Sequence, residues 1–185
     1  MPTFVDLPLR TSRLELRPTH PTDAAAMFAI YSDPKVMRYW SEPPWTAIEQ
    51  AERAVARDLQ AFEAGQALRL AIERLEDREV IGQCTLYNFV GTCRRAEIGY
   101  SLAASAWGQG YMHEALSELV RYAFEVLDLN RIEADIDPRN LASEKSLRRL
   151  GFVREGLLRE RWIVNGEVSD TGFYGLLRTE WAATP

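Results

Sequence analysis

The chain has 185 residues, 46% of them hydrophobic and 26% charged, the proportions of a single globular domain over 1–185. Its 27 acidic residues against 22 basic ones leave a net charge of −5, which argues against nucleic acid as a main partner, because a phosphate backbone needs a basic surface. Two cysteines, Cys84 and Cys93, and two histidines, His20 and His113, have no metal-ligand spacing, so neither a metal site nor a disulfide framework is expected.

The N-terminus mixes charged and apolar residues without a signal-peptide core, and no stretch is long and apolar enough to span a membrane. The expectation is a reduced, cytoplasmic protein without a membrane partner. "RLELRP", Arg13 to Pro18, alternates as a first strand with Leu14 and Leu16 inward. Thr22 or Thr19 caps a helix carrying Met27, Phe28, Ile30 and Tyr31, which Asp33-Pro34 stops. "VMRYWSEPPW", Val36 to Trp45, is aromatic, proline-broken and irregular. Thr46 caps a second helix to about Glu63, and Gly65 ends it.

From Ala67 the period becomes that of two strands joined at Glu76-Asp77-Arg78. Arg94 to Leu102 is a fourth strand. A helix from about Gly108 to Leu127 carries one apolar stripe: Met112, Ala115, Leu116, Leu119, Val120, Phe124 and Leu127. Arg131 to Asp137 is a strand, Asn140 to Leu150 a short helix closed by Gly151, and two last strands turn at Asn165-Gly166. The whole is one mixed α/β domain with a strand–helix–strand crossover at its centre.

Gly108 and Gly110 stand where the long helix starts. Such a start leaves N–H groups unpaired and partly positive, and without Cβ atoms an anion reaches them. The segment lacks the Lys-Ser or Lys-Thr of a nucleotide P-loop and the third glycine of a dinucleotide fingerprint. Taken alone, the two glycines read first as a turn with a helix cap.

The ordered set "AEIGYSL", "WGQGYMHEAL" and "IEADIDPRNLASEKSLRRLGF" resembles the GNAT superfamily of acyl-CoA-dependent N-acetyltransferases. The opening "LRTSRLELRP", "DPKVMRYW" and the closing hairpin resemble its branch that acetylates ribosomal-protein N-termini. The resemblance implies a mixed, mostly antiparallel sheet of six to seven strands, splayed between the fourth and fifth, with helices on both faces. It implies acetyl-CoA as co-substrate and a primary amine as acceptor. The pantetheine arm would pair with the edge from Tyr100 through Leu102 to Ala103. The pyrophosphate would sit on the main-chain donors of Gly108, Gln109, Gly110, Tyr111 and Met112, beside Trp107, with Asn140 across the splay. A homodimer fits the same family. Two positions around the glycine turn depart from its pattern: Ser105 replaces the usual Gln or Arg, and His113 stands where a small or hydroxyl residue is common. His113 reads either as a phosphate-facing or as a solvent-facing side chain.

Amine attack on a thioester needs a neutral amine, a stabilised carbonyl oxygen and a leaving thiolate, so no serine or cysteine nucleophile is required. The main-chain N–H near Leu102 is the candidate oxyanion donor. Glu97 is the candidate base, against the alternative that it pairs with Arg94 or Arg95. Glu114 reads as a structural charge at the helix start. Relatives carry a tyrosine acid seven residues after the asparagine, where this chain has Leu147. Ser143, which matches a serine proposed for that role, reads either as the acid or as a helix-start residue. Tyr39, Trp40, Trp45 and Trp162, with Tyr174, are candidate acceptor walls, and Glu42 reads as an ammonium partner or a surface charge. The expected acceptor is a protein N-terminal α-amine. The alternatives are a polyamine, amino acid or aminoglycoside, or a non-catalytic acyl-CoA sensor.

Overall fold

A computed structural model describes residues 2–181; the expected domain bounds of 1–185 include residues 1 and 182–185, which lie outside the described residues. The strands are β1 (Leu9–Arg10), β2 (Leu14–Pro18), β3 (Leu68–Arg74), β4 (Val80–Val90), β5 (Arg95–Leu102), β6 (Arg131–Ile136), β7 (Val153–Val164) and β8 (Glu167–Leu177). The helices are α1 (Ala24–Tyr31), α2 (Ile48–Glu63), α3 (Tyr111–Glu125), α4 (Leu141–Arg149) and α5 (Arg178–Trp181). One eight-stranded sheet runs β1-β2-β3-β4-β5-β6-β8-β7. All its pairs are antiparallel except β5 with β6.

The sheet has one strand more than the expected six to seven. The addition is β1, which pairs Leu9 with Leu16 and Arg10 with Glu15 and is too short to show a period. The fourth and fifth expected strands are therefore β5 and β6. They pair only at Arg95 with Arg131, Ala96 with Ile132 and Glu97 with Glu133. Beyond that point β5 stays on β4 as far as Leu102, and β6 stays on β8 as far as Ile136. The sheet opens there into a V.

Strand alternation sorts the side chains into two faces. Ile98, Ile132, Ala134, Tyr174 and Leu176 face α3 and α4, burying Leu116, Leu119, Phe124 and Leu147 completely. Each such side chain contributes roughly 1.5–3 kcal/mol by leaving water. The α3 stripe is the one its sequence period shows, with Met112 and Leu127 partly buried at its ends. The other face carries α1 and α2, with Met27, Ile30, Tyr31, Val55 and Ala71 in a second core.

Three local expectations are corrected. Helix α2 starts after Ala47, not at Thr46: the Gln50 side-chain carbonyl reaches back to accept the N–H groups of Thr46 and Ala47 at 2.7 and 3.1 Å. Neither Thr19 nor Thr22 caps α1. A 3-10 turn, Pro21–Asp23, leads into it, with His20 Nδ1 accepting the Thr22 N–H and Asp23 accepting the His20 N–H at 2.7 Å. The segment expected to be irregular from Val36 contains a 3-10 turn, Val36–Tyr39. The β7–β8 turn is as its sequence requires, Asn165 and Gly166 both holding positive φ, 49° and 80°.

Candidate active site

The inner edge of β5 supplies free backbone. Ala103 donates its N–H to Ile81 at 2.8 Å, and the register continues through Ser101 with Gln83 and Gly99 with Thr85. Antiparallel alternation then turns the N–H and C=O groups of Tyr100 and Leu102 into the V, above the last β5–β6 pair at Glu97 and Glu133. One of these groups is already engaged: the Trp107 indole donates to the Leu102 carbonyl at 2.8 Å, leaving the Leu102 N–H open. Trp107 thus braces the end of the strand while its ring stays 48% exposed.

The glycine turn follows directly. Gly108 and Gly110 hold φ of 75° and 82°, a region that disfavours a Cβ, and nothing lies within 4 Å of the space a Cβ would take at Gly108. The α3 ladder begins with the Glu114 N–H bonded to Gly110 at 3.1 Å. The N–H groups of Tyr111, Met112 and His113 precede it and have no acceptor within the helix. Gln109 folds its amide back onto the Ser105 carbonyl at 3.1 Å, so its own contribution outward is main-chain. Tyr111 buries its ring, with the Arg13 guanidinium 4.5 Å from the ring centre. Arg13 also donates to the Gln109 carbonyl at 3.0 Å and pairs with Glu114 at 2.6 Å. Glu114 accepts further bonds from Thr11 at 2.6 Å and from the Arg13 N–H at 2.9 Å. Burial alone would raise the Glu114 carboxyl, but these donors hold it below the usual range. Glu114 is the clamp between the β1–β2 turn and the glycine turn.

Helix α4 forms the other wall. Asn140 is its N-cap, Oδ1 accepting the Ser143 N–H at 3.1 Å, which leaves its NH₂ to donate elsewhere. Ser143 is capped rather than capping. Its carbonyl accepts from the Tyr100 hydroxyl at 3.3 Å, and burial pushes that phenol up to about 12. Leu147 is fully buried. His113 is half buried, its Nδ1 has no partner, and burial together with the Arg149 charge lowers its pKa.

On the α1/α2 face, Glu97 accepts from Asn88 at 3.1 Å and pairs with neither Arg94 nor Arg95. Arg94 binds Asp128 at 2.8 Å, and Arg95 binds Glu133. A hollow of about 240 Å³ lies between the 36–44 segment and the β7–β8 turn, lined by Tyr39, Trp40, Glu42, Asp137, Arg139 and Glu167, among others. Tyr39 and Trp40 therefore stand at a cavity. Trp45 packs instead on Tyr31, with 4.7 Å between ring centres, in the second core. Trp162 lies partly exposed on β7, with Arg161 5.7 Å from its ring centre. Tyr174 is buried on the opposite face, against α4, and forms no wall of this hollow.

Sequence reasoning missed Arg13 and Asp135. The alternation of its segment places Arg13 at the start of a strand, and only the fold of the β1–β2 turn brings it to Gly110. Asp135 needs the parallel register of β5 with β6, which places it one pleat beyond the point where Glu97 and Glu133 pair. Cys84 is buried, which raises its thiol to about 12, and Cys93 is exposed; both are free. Among the described residues no group of three or more His, Cys, Asp or Glu is placed to hold a metal ion. No helix among them is long and apolar enough to cross a membrane.

Residues 13–153 match the family described as the acetyltransferase (GNAT) domain. The uncharacterized N-acetyltransferase p20 of Bacillus licheniformis is 39% identical over 174 residues, covering 94% of this chain and 98% of that one. The ribosomal protein uS5-alanine N-acetyltransferase of Escherichia coli is 28% identical over 182 residues, covering 94% and 92%. The crystal structure of spermidine N-acetyltransferase from Vibrio cholerae, in complex with CoA and spermine, has the same fold. It gives a TM-score of 0.83 at 23% identity over 93% of this chain and 99% of that one.

Proposed function

The chain belongs to the GNAT acetyltransferases, and from that premise we propose that it transfers the acetyl group of acetyl-CoA directly to a primary amine, best a protein N-terminal α-amine. The observation that carries the reading is the end of β5–β6 pairing at Glu97 and Glu133, which leaves a strand edge running straight into unpaired helix-start amides. Acetyl-CoA supplies an activated acyl thioester. The chain supplies its seat: Tyr100 and Leu102 offer main-chain groups to an amide-bearing arm, and the amides from Gly108 to Met112 offer donors to a diphosphate. The Asn140 NH₂ reaches from the far wall. The Leu102 N–H stabilises charge on the carbonyl oxygen as the amine attacks. Glu97, held by Asn88, or a carboxylate beside it accepts a proton on the acceptor side, directly or through water. Ser143 is the candidate donor to the leaving sulfur, in the region where Leu147 replaces a phenol.

Similarity in sequence to the uS5-alanine enzyme supports the protein N-terminus as acceptor. A small amine is the near alternative. A non-catalytic sensor of acyl-CoA is the alternative from another class, favoured by the buried Leu147. Thiol release from acetyl-CoA, followed with a panel of N-terminal peptides and small amines, tests all three. The expected result is release that accelerates with an α-amine peptide and yields its acetylated product. Tight CoA binding with no acceleration by any amine would favour the sensor.

A further inference from the structure

Four acidic side chains line the V on the α1/α2 face: Glu97 on β5, Glu133 and Asp135 on β6, and Asp137 just after it. Two are neutralised. Glu133 binds Arg95, and Arg131 at 2.8 Å. Asp137 accepts both the Arg139 side chain and the Arg139 N–H, the latter at 2.8 Å. Among the described residues, Glu97 has two neutral partners, the Asn88 amide and the Tyr87 hydroxyl, and Asp135 forms no ion pair and receives no bond from another residue. Arg161 is the basic group whose charge reaches Asp135 from β7, and it lies over the Phe173 ring, 5.6 Å from its centre. Phe173 is the cross-strand partner of Asp135.

The register gives these carboxylates a common target. Glu97 lies opposite Glu133, so Asp135 stands at the level of Gly99 across the opening. Gly99 leaves the acceptor face of β5 bare there: an added Cβ would meet only Tyr87, at 3.5 Å. Two unneutralised carboxylates thus flank a space next to the strand edge that would hold the thioester. A half-buried site with excess negative charge and room beside it favours a cation.

Deepening the acetyltransferase reading, on which it rests, we propose that Asp135, with Glu97 beside it, seats the acceptor as a primary ammonium above Gly99 and takes the proton the nitrogen must lose. The N–H bond breaks with its electron pair left on nitrogen, and the proton bonds to an Asp135 oxygen. The freed lone pair forms the N–C bond while the C–S bond breaks towards sulfur. The second nitrogen proton passes to that sulfur, and Asp135 later returns its own to solvent. Burial raises the Asp135 carboxyl above the ordinary value, Arg161 opposes this and Glu97 adds to it, so Asp135 holds a proton better than an exposed aspartate does. Tyr87 faces the same space from β4; burial, then the charges of Asp135 and Glu97, keep its phenol protonated.

The test uses the full chain, with spermidine and an alanine-initiated peptide as probes. In Asp135→Asn, kcat/KM for either probe at neutral pH falls roughly 100-fold. The loss shrinks at alkaline pH, where the amines are already neutral, while the KM for acetyl-CoA is unchanged. Glu97→Gln loses affinity for the amine but keeps the wild-type shape of the pH profile. Gly99→Val, which fills the seat without touching a charge, loses both probes and keeps CoA affinity. Calorimetry of spermidine against the CoA-loaded protein reads the seat without turnover, and affinity falls about tenfold in Asp135→Asn. Equal spermidine affinity in the folded variant and the wild type overturns the proposal, as does a loss of rate that is constant with pH. Absence of turnover in the wild type, with a calorimetric difference still present, would sink the acetyltransferase reading and leave the ammonium seat standing.

Discussion

Arg13 donates to the Gln109 carbonyl at 3.0 Å, pairs with Glu114 at 2.6 Å and lies over the Tyr111 ring. These contacts hold the glycine turn from behind. Its guanidinium is 3.5 Å from the position a Cβ would take at Gly110. Nearly half of the side chain is exposed, so the ion pair itself contributes little to stability, on the order of 1 kcal/mol or less. Its effect belongs to the turn. Arg13→Ala raises the KM for acetyl-CoA about tenfold with kcat at saturation nearly unchanged, because main-chain donors that wander lose the diphosphate and not the chemistry. Arg13→Lys separates charge from geometry: it keeps the positive charge and loses the fork that reaches Glu114 and Gln109 together. Steady-state kinetics should show the same rise in KM for both variants. A lysine variant that behaves like the wild type would mean that Arg13 acts through charge alone.

The entry into α1 rests on a buried ion pair. Arg17 contacts Asp23 at 2.8 Å and Glu73 at 2.7 Å, while Asp23 also accepts the His20 N–H. Burial would raise the Asp23 carboxyl, but the Arg17 and His20 bonds prevail and lower it. The stability this pair contributes is therefore present above the unfolded aspartate pKa and is lost as pH falls through the lower folded one. Asp23→Asn leaves Arg17 without its main partner and costs about 3 kcal/mol at neutral pH. The deficit relative to wild type fades in acid, and urea unfolding at neutral and acid pH measures both. None of this was legible in "PTHPTD", which offered Thr19 and Thr22 as caps of similar merit; the choice was made by Arg17 on the preceding strand. Elements with a period of their own could be read directly. The α3 stripe, the β5 alternation and the Asn165-Gly166 turn each carry their signal within a few residues. The main-chain half of the site was legible for the same reason, since two glycines before an apolar helix are a local fact. The acceptor half was not. Trp45 and Trp162 were both candidate walls, yet Trp45 packs into the core and Trp162 lies partly exposed on β7. Glu97 and Asp135 meet only through a parallel register 38 residues apart, and no window of sequence contains it.

At the scale of the whole molecule, the sheet is two antiparallel halves, β1 to β5 and β6 with β8 and β7, joined by three residue pairs at the foot of a V. Further cohesion between them comes from α3 and α4, which lie across the opening on one face, Tyr100 reaching the Ser143 carbonyl at its upper end, and from ion pairs such as Arg95 with Glu133. A ligand that bonds β5 on one wall and α4 on the other adds a second crosslink just where strand pairing has stopped. Binding stabilises the closed arrangement over any in which the walls part, by a factor of about 100 when free ligand is 100 times its Kd. Hydrogen exchange with and without CoA should register this in two separate places. The amides of Tyr100, Leu102 and 108–113 slow because the ligand bonds them. Those of Ala134 to Ile136 slow as well, although their strand is paired to β8 in either case, because opening of the V becomes rarer. β2 and β3 lie beyond the fork and should keep their rates. Protection confined to the glycine turn would show that the two halves move as one body without the ligand, held by the α3 and α4 core alone.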